Sequence, residues 1–173
     1  MIDKISNNCM HIGLRVKDYE ATMDFYNKGL GFEEVFTFKK EKLYKMLEEA
    51  GNTVPDKSDA DDIWLTYLRI KNEQYLELFP VPREEVSQFN DQSFFHFSLQ
   101  VDDINAAVAE LRKRGINVYS LHIDAINDNP ASEKFVPIKA LCNSYIAWLK
   151  DPDGNLIELM ELTNESLQKG CDI

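Results

Sequence analysis

The sequence predicts an α+β fold in which two βαβββ modules form a curved, partly closed mixed β-sheet. Residues 11–18 and 96–103 repeat one pattern, His-x-x-Leu-x-Val-x-Asp. Each copy is followed by a helix-like stretch that ends at a glycine, and later by a short apolar strand that contains one glutamate. These glycines and glutamates are, in chain order, Gly31, Glu77, Gly115 and Glu158. An internal repeat of this kind indicates two copies of one supersecondary unit.

The first module is predicted over residues 8–82. Residues 9–16 alternate between apolar and polar side chains, as a half-buried strand does, and Asp18 can cap the helix that follows. The charged and polar stretch 39–62 is interpreted as an insertion between strands. The other predicted elements are a helix over roughly 19–29, a strand over 32–38, and a hairpin formed by strands over 63–70 and 74–79.

The second module is predicted over residues 93–162, after an acidic and polar boundary at 83–92. Residues 124–143 contain a turn-rich loop and form a second addition, and residues 163–173 are expected to be a frayed tail. The predicted elements are a strand over 94–101, a helix over 104–114, a strand over 117–123, and a final hairpin of strands over 145–149 and 156–162. Asp151-Pro-Asp-Gly-Asn155 supplies the turn of that hairpin.

Charge and composition exclude some partners. The net charge of −11 and the pI near 4.7 argue against binding to nucleic acid or to an anionic membrane. No apolar run approaches the ~20 residues of a membrane span, and the first residues lack a signal-peptide pattern. Cys9, Cys142 and Cys171 are few and widely spaced, which favours a reducing, cytoplasmic location over a disulfide framework.

Two histidines and two glutamates occupy equivalent points of the two copies: His11, Glu77, His96 and Glu158. Strand alternation places each glutamate on the sheet face opposite its aliphatic neighbours, where an unpaired carboxylate favours a bound cation. A pseudo-two-fold relation between the copies would bring all four side chains around one ion. Two imidazoles and two carboxylates suit one divalent metal ion, such as Ni²⁺, Zn²⁺, Co²⁺, Mn²⁺ or Fe²⁺. Taken singly, each histidine can instead be a hydrogen-bonded structural residue and each glutamate a solvated one.

These motifs resemble the vicinal oxygen chelate superfamily (glyoxalase, bleomycin resistance protein and dioxygenase), and most closely its glyoxalase I branch, over residues 8–162. The most specific part is Trp148-Leu-Lys-Asp-Pro-Asp-Gly-Asn-Leu-Ile-Glu158-Leu. The resemblance implies that His11, Glu77, His96 and Glu158 bind an octahedral metal ion, with Ni or Zn favoured and two waters that substrate oxygens displace. It also implies a homodimer, and the four ligands can meet within one chain or across two.

The same resemblance implies a metal-dependent lyase or isomerase that transfers a proton through an enediolate. The substrate would be an α-hydroxy or α-keto compound of the hemithioacetal type, a thiol adduct such as that of methylglyoxal. Glu158 would be the catalytic base with Glu77 as its catalytic partner, and Arg15 and Trp148 would contact substrate. Arg15 can equally be a surface or subunit-contact residue, and Trp148 can equally be a core residue.

Two departures from the glyoxalase I pattern concern the substrate and not the metal chemistry. Pro80-Val81-Pro82 stands where that family has an Asn after the first glutamate, and residues 90–93 lack its glutathione-binding Arg. Alternatives are therefore an acyl-CoA or sugar epimerase, a dioxygenase, or a small-molecule-binding resistance protein. His122 and the basic run 39–42 are interpreted as a surface residue and a solvated helix face.

Overall fold

The computed structural model describes residues 9–54, 56–72, 74–82, 94–132 and 135–171. The chain divides into two compact units, Met1–Val86 and Ser87–Ile173. The boundary predicted at 83–92 lies outside the described residues. Among the described residues, no helix combines the length and the apolar character that a membrane-spanning segment requires.

The first unit contains a four-stranded mixed sheet in the order β1-β4-β3-β2. Strand β1 pairs with β4 in parallel, whereas the β4–β3 and β3–β2 pairs are antiparallel. Its described elements are β1 (His11–Val16), α1 (Tyr19–Met23) continued by a π-helical turn (Asp24–Gly29), β2 (Glu33–Lys39), α2 (Lys40–Glu49), a 3-10 turn (Lys57–Asp59), β3 (Ile63–Lys71) and β4 (Gln74–Pro80).

The second unit repeats this plan with the strand order β5-β8-β7-β6, and β5 pairs with β8 in parallel. Its described elements are β5 (His96–Val101), α3 (Ile104–Lys113), α4 (His122–Ile126), β6 (Ile138–Lys139), β7 (Tyr145–Lys150), β8 (Leu156–Glu161) and α5 (Leu167–Cys171). The predicted α+β class is thus confirmed. The described strands form two open four-stranded sheets, each with two different edge strands.

Strand alternation separates a core face from a polar face in β1. Leu14 and Val16 are buried, whereas His11 and Arg15 are exposed. The backbone N–H of Ala21 donates to the Asp18 carboxylate at 3.0 Å, which confirms the predicted N-cap of the first helix. That helix widens to π-helical hydrogen bonding in its second half, a change the apolar spacing does not reveal.

The strand predicted over 117–123 is wrong. Tyr119 alone forms a β-bridge there, with Trp148, and residues 122–126 form the short helix α4. The Asp124 carboxylate accepts the backbone N–H of Leu121 at 3.0 Å, and this local bond favours a helical turn over continued extension. The two-residue strand β6 pairs with β7 instead.

The predicted frayed tail is also wrong over its described part. Ser166 is buried and its hydroxyl is 2.9 Å from that of Ser144, at the start of β7. The backbone N–H of Thr163 donates to the Ser166 hydroxyl at 2.7 Å. Buried hydroxyl groups need hydrogen-bond partners. These contacts therefore hold the segment between β8 and α5 against the sheet.

Ion pairs hold the insertion 39–62 in a defined fold. Asp59 accepts hydrogen bonds from Lys40 at 2.6 Å and from the Tyr44 hydroxyl at 2.6 Å. Lys39 pairs with Asp61 at 2.9 Å, and the Lys57 ammonium donates to Glu48 at 2.6 Å. Helix α2 is therefore connected to the loop that follows it by side chains of both segments.

Candidate metal centre

The first half of the candidate centre lies on two adjacent parallel strands. The register of β1 and β4 places Glu77 opposite Gly13, two residues after His11. The imidazole Nε2 of His11 is 3.6 Å from Oε2 of Glu77. The Glu77 side chain is 15% exposed and that of His11 is 41% exposed, so the pair is accessible from solvent at the histidine.

The second half repeats the arrangement on β5 and β8. Glu158 lies opposite Ser98, two residues after His96. Nε2 of His96 is 3.8 Å from Oε2 of Glu158, and the Glu158 side chain is 11% exposed. The buried Asp151 carboxylate organises the preceding turn, since it accepts the backbone N–H groups of Asp153 and Asn155. This turn sets the point where β8 begins, two residues before Glu158.

Both distances exceed that of a direct hydrogen bond, and the His11–Glu77 distance fits two donor atoms that share a cation. A nitrogen–oxygen separation of 3.6 Å or 3.8 Å is longer than a protein hydrogen bond. Ligand atoms about 2.1 Å from one ion stand roughly 3.0–3.6 Å apart at angles of about 90–120°. The first pair meets this range and the second is slightly beyond it. Each pair therefore supplies one imidazole and one carboxylate donor at a usable spacing.

The four predicted ligands occur as two pairs. Among the described residues, no group of three or more His, Cys, Asp or Glu side chains could hold a metal ion. Two donors are too few for a structural or catalytic ion of this class. The sharing of one ion by all four residues thus stays a prediction.

Tyr67 is a residue of the centre that sequence reasoning missed. It lies opposite Glu77 in the β3–β4 register, and its hydroxyl is 3.1 Å from Nδ1 of His11. Burial raises the pKa of the Tyr67 phenol, and the charge of the Glu77 carboxylate and a hydrogen bond to it raise the pKa further. The phenol therefore stays protonated and can donate to Glu77.

The repeat contains a signal for Tyr67. Tyr67 precedes Glu77 by the same ten residues that separate Trp148 from Glu158. Trp148 lies opposite Glu158 in the β7–β8 register, so the two aromatic residues are equivalent. Aligning the two copies on their glutamates would have found Tyr67.

Trp148 is a buried residue at 4% exposure, and its ring centroid is 4.9 Å from that of His96. Nε1 of Trp148 and Nδ1 of His96 are both buried without a hydrogen-bond partner among the described residues. Unpaired buried polar atoms are uncommon and costly. Trp148 packs in the core, and its contact with substrate stays a prediction.

Arg15 and His122 are both exposed. Arg15 is exposed on the same strand as His11, and its role toward substrate stays a prediction. His122 is exposed, which confirms the surface interpretation. It also packs edge-on against Trp148, with ring centroids 5.6 Å apart, a contact the sequence did not indicate.

Comparison with known proteins identifies the family. Residues 9–159 match the model of the Glyoxalase/Bleomycin resistance protein/Dioxygenase superfamily. The chain belongs to this superfamily, and the resemblance inferred from its motifs is confirmed.

Curated relatives and solved structures extend this likeness over most of the chain. An uncharacterized protein YaeR of Escherichia coli is 28% identical over 153 residues, which are 87% of this chain and 93% of the relative. A probable lactoylglutathione lyase of Vibrio parahaemolyticus is 28% identical over 88% of each chain. A glyoxalase family protein of Enterococcus faecalis has a TM-score of 0.59 and 21% identity, covering 89% of this chain and 97% of its own. The last similarity concerns the fold alone.

Proposed function

We propose that the protein is a metal-dependent lyase or isomerase of the glyoxalase I type. One divalent ion, Ni²⁺ or Zn²⁺ in preference to Co²⁺, Mn²⁺ or Fe²⁺, would be held by His11, Glu77, His96 and Glu158. The observation that carries the proposal is the equivalence of the two pairs, which repeat the same donors at 3.6 Å and 3.8 Å on equivalent strands. Such an ion, when bound, polarises the adjacent oxygens of an α-hydroxy or α-keto substrate as a Lewis acid.

The proton transfer is assigned to Glu158. This carboxylate would accept a proton from the carbon next to the substrate carbonyl and return it to the neighbouring carbon. Its position beside Trp148 limits access of water, because both residues are largely buried. Glu77 would be the second carboxylate of the centre and would assist from the opposite half.

Tyr67 would position His11. A histidine that binds an ion through Nε2 carries its proton on Nδ1, so this N–H would donate to the Tyr67 oxygen at 3.1 Å. The Tyr67 hydroxyl is then free to donate to Glu77. One phenol would thus orient both donors of the first pair.

The protein would be a homodimer that acts on a small-molecule substrate. Each described pair supplies two donors, and a second pair from the same chain or from a second copy completes the set. Arg15 would bind an anionic group of the substrate or of its thiol. By the resemblance to glyoxalase I, Pro80-Val81-Pro82 stands where a polar Asn is common and residues 90–93 lack the glutathione-binding Arg, so the thiol must be determined by assay. An epimerase with the same proton-transfer chemistry is the alternative enzyme.

Removal and return of metal tests the proposed activity. Dialysis against dipicolinate should lower the rate of thioester formation from methylglyoxal and a thiol at least about a hundredfold, because Lewis-acid catalysis contributes several kcal/mol. Adding Ni²⁺ or Zn²⁺ should restore the rate. Glutathione, cysteine and coenzyme A are compared as thiols at 240 nm, with boiled protein as the control. An unchanged rate after complete metal removal would refute metal dependence, and no thioester with any thiol would favour the epimerase.

The Tyr67→Phe substitution should lower the affinity of the protein for Zn²⁺ about tenfold to a hundredfold, as loss of a group that orients a ligand does. Competition with a chromophoric chelator measures this affinity. Tyr75→Phe is the matched control, since the Tyr75 ring is 5.7 Å from that of Tyr67 and the substitution removes the same atom. Equal Zn²⁺ affinity in Tyr67→Phe and wild type would remove Tyr67 from the centre.

A further inference from the structure

A cavity of about 560 Å³ lies within the first unit and reaches Glu77 of the first ligand pair. Its walls come from β2, β3, β4 and from helix α2 of the insertion. The lining residues include Phe36, Phe38, Lys42, Lys45, Tyr67 and Glu77. A cavity of this volume accommodates a small organic molecule.

One wall of the cavity is a continuous aromatic surface. The rings of Phe38 and Phe36 are stacked with centroids 4.8 Å apart, and Phe36 stacks on Tyr67 at 4.7 Å. The Tyr67 hydroxyl in turn reaches His11 at 3.1 Å. Phe36 is 37% exposed, although an aromatic ring of this size is ordinarily buried. This surface therefore offers a planar apolar group a place to stack, with the ligand pair at one end.

Lysines of the insertion stand at the other end. Lys42 Nζ lies 3.6 Å from the Phe38 ring centroid in a cation–π contact, and Lys45 lines the same cavity. Within the described part of the chain, neither ammonium group has a hydrogen bond or ion pair to a carboxylate. The neighbouring lysines of the insertion all have one, namely Lys39 to Asp61, Lys40 to Asp59 and Lys57 to Glu48.

The charges around the cavity favour an anion at the end where Lys42 and Lys45 lie. Glu49 and Glu77 also line it, so the protein alone supplies two positive and two negative groups. A divalent ion on Glu77 would offset that carboxylate and leave the lysine end with excess positive charge.

We propose that this cavity selects the substrate, a small anion carried on a planar apolar group. The apolar group stacks along Phe38 and Phe36, the carboxylate, sulfonate or phosphate binds Lys42 and Lys45, and the reactive oxygens lie at Tyr67 and Glu77. This inference rests on the proposed function, because it names the substrate class of the same centre. The insertion is then a specificity element, and the basic run 39–42 is more than a solvated helix face.

A matched pair of probes tests the proposal on the full-length protein loaded with Zn²⁺. Naphthalene-2-sulfonate and naphthalene-2-sulfonamide share an aromatic body and differ in charge, and calorimetric titration gives the affinity of each. We expect the sulfonate to bind about fivefold to tenfold more tightly, as two exposed ion pairs allow. The preference should shrink as salt is added, because exposed charges are screened.

The double substitution Lys42→Gln, Lys45→Gln should abolish the preference for the sulfonate. Glutamine is a good helix former, so α2 is retained. Lys39→Gln removes a charge from the same segment outside the cavity and should keep the preference. No preference in the wild-type protein, a preference that survives the double substitution, or one lost equally in Lys39→Gln would overturn the proposal.

A metal measurement on the same samples separates this inference from the proposed function. The double variant should bind Zn²⁺ as the wild-type protein does, since neither lysine is among the four proposed ligands. Anion preference lost with Zn²⁺ binding intact confirms the role of the lysines. Anion preference without any Zn²⁺ binding in the wild-type protein would refute the metal centre, and the cavity would stand as an anion site alone.

Discussion

We expect the Glu158→Gln substitution to lower kcat for the proposed proton-transfer reaction by about 10²–10⁴-fold, the contribution of a positioned general base. The amide keeps the size of the side chain and can still offer an oxygen to an ion, but it cannot accept the substrate proton. The neutral amide is a weaker ligand, as it is in Glu77→Gln, but at saturating metal we expect the variant still to bind about one metal ion per chain. Steady-state kinetics at saturating metal, together with metal analysis of the same samples, measures both properties.

Two other substitutions make this result specific. Glu161→Gln changes a carboxylate on the same strand, and its amide oxygen can still accept the N–H of Ile104 that Glu161 accepts at 2.8 Å. Its kcat should stay near that of wild type. Glu77→Gln should lower metal affinity and regain much of its turnover when metal is added. If Glu158→Gln kept both metal and full activity, the assignment of the base would be wrong.

We expect the His96→Ala substitution to reduce affinity for Zn²⁺ or Ni²⁺ by at least about a hundredfold. Loss of a ligand should lower metal affinity more than loss of a group that only orients a ligand. Loss of an orienting group lowers metal affinity about tenfold to a hundredfold. Equilibrium dialysis against radioactive or colorimetrically detected metal gives the affinity directly.

His122→Ala is the matched control for this substitution. His122 packs on the same Trp148 ring as His96, at 5.6 Å against 4.9 Å, and it is exposed. Both variants lose one imidazole from one aromatic cluster, yet only His96 faces a carboxylate at 3.8 Å. Similar losses of metal in both variants would assign the effect to the cluster and not to a ligand.

The sequence was sufficient for the parts of the fold that depend on local patterns. The repeated His-x-x-Leu-x-Val-x-Asp motif predicts β1 and β5, and Asp18 and Asp103 cap the following helices as side-chain acceptors. Gly31 and Gly115 have φ of 79° and 76°, the left-handed region that glycine adopts freely, which explains the helix ends. The pairing of each histidine with a glutamate also needs the parallel register of these strands, which the motif does not specify.

Other parts depend on contacts that no local pattern contains. Residues 117–123 read as a strand, but Tyr119 alone pairs with Trp148, and the Asp124 side chain favours a helical turn. The insertion is shaped by ion pairs between residues up to 22 positions apart, as between Lys39 and Asp61. Tyr67 reaches His11 only through the register of β3 on β4, which a single strand does not specify.

Metal content tests the central claim most directly. The protein is purified without chelators and analysed for Ni, Zn, Co, Mn and Fe, beside His96→Ala and His122→Ala samples prepared in the same way. We predict about one ion per chain in the wild-type protein and in His122→Ala, and a large loss in His96→Ala. Wild-type protein that is free of metal and does not take up added Zn²⁺ or Ni²⁺ would contradict the metal centre.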